Sequence, residues 1–229
     1  MARFAAAAVL LFAASAHAQA AHTRLDRDAL LKQGMSLLRS GQFMRAYVID
    51  ERMIDDVVKR YGGDDPKLFA TALVQKAAAL TGFGREADAR WYWDYALFID
   101  PPIETDADVV VLGRSIEILK QPPPPIATQV RRVLGDVKAP KLIRRVEPLY
   151  PEGARMHRIS GAVIVECVID AKGIVRQGRV LKGLPAPTFG YTALEALRQW
   201  EFEPATLDGK PIAVIFNVTV NFKLVAGDD

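Results

Sequence analysis

The chain has one cysteine, Cys167, and only three histidines, His17, His22 and His157, among its 229 residues. A lone cysteine excludes an internal disulfide, and so few histidines leave no Cys/His set of metal-ligand spacing. The same scarcity removes any nucleophile–base–orienter grouping for covalent catalysis. No glycine-rich phosphate loop is present. Cys167 alternates with valines and reads as a small buried apolar residue. The expectation is a protein that is not an enzyme, with no cofactor and no metal. Charge of one sign is also lacking, because 30 Lys and Arg face 27 Asp and Glu. A modest basic excess between Lys138 and Arg158 contains Tyr150 as its one aromatic ring, so nucleic acid is not an expected partner.

Long hydrophobic runs are missing as well. The N-terminal apolar run from Phe4 to Ala16 is 13 residues, whereas a membrane-spanning helix needs about 20. With Arg3 before it and Ala16-His17-Ala18 after it, the run predicts a cleavable signal peptide over residues 1–20. Left uncut, the same segment would be an inner-membrane anchor.

What is present divides the chain in two. Residues 21–120 carry helix signals. Asp26 or Asp28 caps a helix that stops at Ser40-Gly41, and a second runs from Phe43 to Tyr61. Asp65-Pro66 opens a third, ending at Gly82, and a fourth covers 85–99. A fifth is predicted over 105–121, capped by Thr105 and halted by the proline run from Pro122. Gly34, Leu37, Gly41-Gln42-Phe43 and Ala46 are echoed by Ala77, Leu80, Ala89, Trp93, Ala96 and Pro101. This register resembles tetratricopeptide-like helical hairpins, with Lys76 where that family prefers leucine. Trp91, Trp93, Tyr95 and Phe98 crowd one helix and read as core before groove.

Residues 121–136 form a Pro-rich linker, with one or two helical turns expected between Ile126 and Leu134. From residue 137 to 229 the pattern turns to strands. Val163, Val165, Cys167 and Ile169 share one face, Asp170 to Gly173 signals a tight turn, and 174–181 pairs back. A helix follows near 191–200, with Trp200 expected to cover the sheet. A last strand runs from Ile212 to Leu224, with Asn217, Thr219 and Asn221 on its polar face. The fold class is therefore α+β. An all-α hairpin domain precedes a three-stranded antiparallel sheet with one packed helix, and such a sheet has open edges.

Particular residues in this second half carry a family resemblance. Tyr150-Pro151 with Ala154, Gly161-x-Val163-x-Val165, Ile169-Asp170-x-x-Gly173-x-Val175 and Val180-Leu181 are the first of them. Ala193, Trp200-x-Phe202-x-Pro204-Ala205, Asp208-Gly209-Lys210-Pro211 and Val220-x-Phe222 complete the set. From about residue 137 to 224 the chain resembles the TonB C-terminal domain. The resemblance implies a periplasmic protein of a Gram-negative bacterium. It also implies docking of the TonB box, a short peptide of outer-membrane transporters, by β-strand addition in support of energy transduction. The peptide-binding residues so implied are Tyr150, Pro151, Ile215, Asn217, Thr219 and Asn221. Leu149 stands where the best-known members have glutamine. The inner-membrane energising complex is a further implied partner, and an open edge also allows a homodimer. The alternative is a periplasmic scaffold that uses its helical repeats and its β-edge without energy transfer.

Overall fold

The structure is a computed structural model and describes residues 26–60, 65–122 and 130–224. The signal segment, the expected helix end at Tyr61 and most of the proline run lie outside those residues. Four helices come first: α1 (Arg27–Arg39), α2 (Phe43–Lys59), α3 (Pro66–Gly82) and α4 (Glu86–Ile99). The carboxylates of Asp26 and Asp65 accept the Ala29 and Leu68 N–H groups at 2.9 and 3.0 Å, satisfying otherwise orphaned donors. The turns after α1 and α3 close alike. Gln42 N–H donates to Leu37 O and Gly41 N–H to Leu38 O; Arg85 and Gly84 repeat this onto Leu80 and Thr81.

The single fifth helix expected over 105–121 is broken in two. A 3₁₀ turn (Pro101–Thr105) leads to α5 (Ala107–Val110), capped by Asp106 rather than Thr105, and then to α6 (Arg114–Lys120). Gly113 between them has φ +54, which no right-handed helix can continue. Arg90 of α4 donates to the carbonyls of Ile118, Leu119 and Gln121, fixing where the linker begins.

The second half runs β1 (Arg131–Arg132), β2 (Lys141–Arg144), a short helix α7 (Glu152–Met156), β3 (Gly161–Ile169) and β4 (Val175–Leu184). Helix α8 (Pro187–Leu197) follows, then β5 (Glu201–Glu203), β6 (Ala205–Leu207), β7 (Lys210–Ile212) and β8 (Val214–Phe222). The main sheet has the order β1-β8-β3-β4. Its β8-β3-β4 part is the antiparallel sheet read from sequence; β1 is an added fourth strand, parallel to β8. Helical turns were expected where β1 lies. The last strand is also shorter than its pattern. Leu207 pairs with Lys210 across the Asp208-Gly209 turn, so β7 folds back on β6 and the chain enters the main sheet only after Ala213.

Val163, Val165, Cys167 and Ile169 of β3 and Val214, Val218, Val220 and Phe222 of β8 are buried against Phe189, Ala193, Leu194 and Leu197 of α8. Helix α8 begins and ends earlier than expected, leaving Trp200 beyond its end. The indole N–H donates to Val146 O at 2.7 Å, and the ring packs near Phe202 under the Arg145 guanidinium.

The core continues without interruption from the helices into the sheet. Helix α4 lies against β4, and the Trp91 ring occupies the space that a side chain at Gly178 would need. Lys76, 2% exposed, is explained here: its ammonium pairs with Glu51, donates to the Tyr191 hydroxyl at 3.1 Å and sits 3.9 Å from the Tyr92 ring centroid. Arg198 reaches Asp88, and the Tyr92 hydroxyl donates to Glu195 at 2.7 Å. These ties join α2, α3 and α4 to α8.

One buried acid has no such partner. Neither Asp50 carboxylate oxygen has a hydrogen-bond partner among the described residues; Oδ1 and the equally orphaned Gln75 Oε1 both crowd Gly34, and Asp50 is 1% exposed. Burial, reinforced by Glu51, pushes the Asp50 carboxyl well above its ordinary range. Because the folded pKa is raised, the associated stability is full below about pH 4 and is lost as pH rises through the folded value. Asp50→Asn is therefore expected to raise the melting temperature at pH 7.5, with the gain vanishing near pH 4. Thermal melts across that range check it; a pH-independent difference contradicts it.

Candidate functional site: the β8 edge

Strand β8 has β3 on one side. Its pairing is regular along the whole length, from Gly161 opposite Phe222 to Ile169 opposite Val214. On the other side, among the described residues, only β1 is bound, and Arg131 N–H donates to Ala213 O at 3.0 Å. Backbone groups alternate along a strand, so the Ala213 carbonyl fixes the parity. Ile215, Asn217, Thr219 and Asn221 turn their N–H and C=O groups away from β3. Ile215 is paired with Arg132 of β1. Asn217, Thr219 and Asn221 have no strand against them among the described residues, and all three are exposed. Their side chains share the sheet face turned away from α8, beside Glu166, Ile164 and Ala162 of β3.

At the C-terminal end of β8, on the face packed against α8, stands an aromatic group. Tyr150 is half-buried, its hydroxyl donating to Ile159 O at 2.6 Å and its ring edge-on to Phe222 and Phe189, each at 5.8 Å. Pro151 is buried at the cap of α7 and accepts from Arg155 N–H through its carbonyl. It directly follows Tyr150 in the chain. The structure thus places Ile215, Asn217, Thr219 and Asn221 in one row on one face of β8, and Tyr150 against Phe222 on the other face, with Pro151 buried next to it in sequence.

Charge around the row is mixed. Glu166 receives Arg179 at 2.8 Å and Arg132 at 3.4 Å, and the Arg179 hydrogen bond holds its carboxyl below the usual range. In the basic stretch, Arg144 pairs with Glu201 and Arg145 with Glu147, while Lys138, Lys141 and Arg155 have no ion pair among the described residues. Arg131 and Arg132 escaped sequence reasoning, because two arginines after a proline run carry no strand signal. Cys167 is buried; loss of solvation, reinforced by Glu166, pushes its thiol up to about 12, and the S–H faces Phe216 O. It has no thiolate to offer near neutrality. Among the described residues no group of three His, Cys, Asp or Glu could hold a metal, and no helix is long and apolar enough to cross a membrane.

Residues 146–224, which hold β3, β4, α8, β8 and Tyr150, match the family model described as Gram-negative bacterial TonB protein C-terminal. This part of the chain is similar to TonB C-terminal domains. Protein TonB of Vibrio cholerae serotype O1 is 37% identical over 89 residues, covering 38% of this chain and 36% of that protein. Protein TonB of Escherichia coli K12 is 33% identical over 92 residues, 40% of this chain and 36% of its own length. Protein TonB of Xanthomonas campestris pv. campestris is 34% identical over 77 residues, 34% of each chain. The chain therefore spans about a third of the length of the curated relatives it matches. Among solved structures, the solution NMR structure of the Pseudomonas aeruginosa TonB C-terminal domain is 29% identical, with a TM-score of 0.32, covering 40% of this chain and 89% of that one.

Proposed function

We propose that this TonB-like protein docks an extended peptide of a TonB-dependent outer-membrane transporter, its TonB box, as an added strand along β8. In this reading it works in the periplasm, reached through a cleaved signal, and supports energy-coupled transport. An inner-membrane energising complex would reach it through an anchored partner, or directly if the N-terminal segment is retained. The observation that carries the reading is the open row at Asn217, Thr219 and Asn221 inside the TonB domain. An open edge supplies main-chain hydrogen bonds for affinity, and the side chains beside it supply selectivity. Lys138, Lys141 and Arg155 would favour peptides with acidic residues, mainly through the association rate and less so at high salt.

Proline substitution tests this. Asn217 and Thr219 have the same parity, so proline at either removes an outward N–H that bonds nothing in the free protein. Both variants are expected to melt near the wild type and to bind a TonB-box peptide at least about tenfold more weakly. Val218→Pro, whose N–H faces β3, is expected to lose the fold. Folded edge variants with wild-type affinity contradict strand addition.

A second reading, a periplasmic interaction scaffold, is favoured by one observation. Helices α1, α3 and α5 enclose a groove of about 670 Å³, with Leu31, Met35 and Leu68 along it and Lys32, Lys67 and Asp28 at its rim. Reversing Lys32 and Lys67 to glutamate should then remove a second partner while leaving transporter-peptide binding intact. Loss of neither dismisses the groove.

A further inference from the structure

Strand β1 already occupies part of the β8 edge along which a partner strand is proposed to dock. We infer that the Arg131–Arg132 segment of the linker is an internal competing strand, which shortens the docking edge while bound and lengthens it when released. The inference rests on the strand-addition reading for its consequence, but not for its structural content.

Three observations carry it. First, β1 uses the same backbone groups that an incoming strand would use. Arg131 N–H is bonded to Ala213 O, and a parallel ladder answers this with Ile215 N–H toward the Arg131 carbonyl. With β1 in place the open row starts at Asn217 and ends where Tyr150 packs on Phe222. That leaves room for about six residues, a typical strand. Release of β1 would add Ile215 and the Ala213 carbonyl to the row.

Second, β1 is held weakly. Both of its residues are exposed, and its charged contact is Arg132 to Glu166 at 3.4 Å, with Arg132 61% exposed. An ion pair that exposed adds little, and Glu166 keeps its shorter bond to Arg179 when Arg132 leaves. Two residues make a ladder far shorter than the nine-residue β3–β8 pairing beside it.

Third, the segment is tethered on both sides, so it stays close after release. Upstream, Arg90 holds the Gln121 carbonyl at 2.7 Å. Downstream, Lys138 and Thr206 exchange backbone hydrogen bonds at 2.8 and 3.2 Å. A tethered strand competes at high effective concentration. A short, exposed strand remains displaceable, which suits a competitor better than a structural edge.

The experiment uses the full chain and Arg131→Pro, which removes the N–H bonded to Ala213. Arg131→Gly/Arg132→Gly is the second variant, which weakens the strand without a ring. Amide hydrogen exchange is read at Ile215, Asn217, Thr219 and Asn221. A synthetic peptide of residues 128–134 and a TonB-box peptide are then titrated. The expected wild-type result is a protected Ile215 amide beside three fast ones, with protection of Ile215 lost in both variants. The 128–134 peptide should bind the variants and not the wild type, and the TonB-box peptide should bind the variants about tenfold more tightly. An Ile215 amide as fast as that of Thr219 in the wild type overturns β1 as an occupant. TonB-box binding of equal strength to wild type and variants overturns the competition while leaving strand addition standing. Expected exchange and 128–134 binding, with no TonB-box binding to any form, uphold the internal strand and remove the transporter reading instead.

Discussion

Replacing Gly173 with alanine is expected to cost more than about 4 kcal/mol, in the range reserved for a change the fold cannot absorb. Gly173 has φ +81 in the turn between β3 and β4. A Cβ there would stand 2.7 Å from the Phe202 carbonyl carbon and closer still to its oxygen. The approach is tight because Phe202 N–H donates to Gly173 O at 2.9 Å and Ile174 bridges to Glu201, which fastens β5 to the hairpin. Asp170 stiffens the same turn, its Oδ1 accepting from Lys172 and Ile174 N–H. Gly209 separates the two causes. It also has positive φ, +75, but nothing lies within 4 Å of where its Cβ would be. Gly209→Ala should cost only the dihedral term, about 1–2 kcal/mol. Urea unfolding of the two variants checks this; equal losses would mean that β5 does not press on the turn.

Trp91→Ala is expected to cost about 3–5 kcal/mol, as removal of a large buried aromatic does. Trp91 is 5% exposed, lies on Gly178 of β4 and has the Arg198 guanidinium 5.7 Å from its ring centroid. Phe98 on the same helix is 41% exposed and stacks on Tyr95. Phe98→Ala should cost less than about 1 kcal/mol. Because the core runs from helices to sheet, the wild type and Trp91→Ala should each unfold in one cooperative transition. A Trp91→Ala variant as stable as Phe98→Ala, or unfolding in two steps, contradicts the continuous core.

Much of this was legible in the residues, and what was not has identifiable causes. Caps and turn glycines marked α1 to α4 because those signals are local: an aspartate, a following proline, a glycine past the end. The period-two pattern located β3 and β8, and the Asp170 to Gly173 turn joined β3 to β4. The fifth helix failed because a capping-box spacing at Thr105 looked as good as the Asp106 cap, and Gly113 was passed over. Strand β8 was drawn too long because Ile212 keeps the apolar alternation, although the Asp208-Gly209 turn pulls it into a separate hairpin. Strand β1 could not be foreseen. Its two arginines pair through backbone groups alone, and backbone pairing at an edge leaves no side-chain signature. Lys76 was noticed as an oddity where leucine was expected. Its partners Glu51, Tyr92 and Tyr191 come together only when α2, α4 and α8 are packed. Tyr150 and Pro151 were read as a pair from family resemblance; Tyr150 is half-buried against Phe222 at the end of β8, and Pro151 is buried beside it.

The proposed docking on β8 is tested most directly by amide hydrogen exchange of the full chain with and without a TonB-box peptide. In the free protein the outward amides of Asn217, Thr219 and Asn221 should exchange quickly, while those of Val218 and Val220, turned toward β3, exchange slowly. Saturating peptide should slow Asn217, Thr219 and Asn221 together and leave Val218 and Val220 as they were. A peptide that binds while those three amides keep their free-protein rates would place the contact elsewhere and contradict docking on β8.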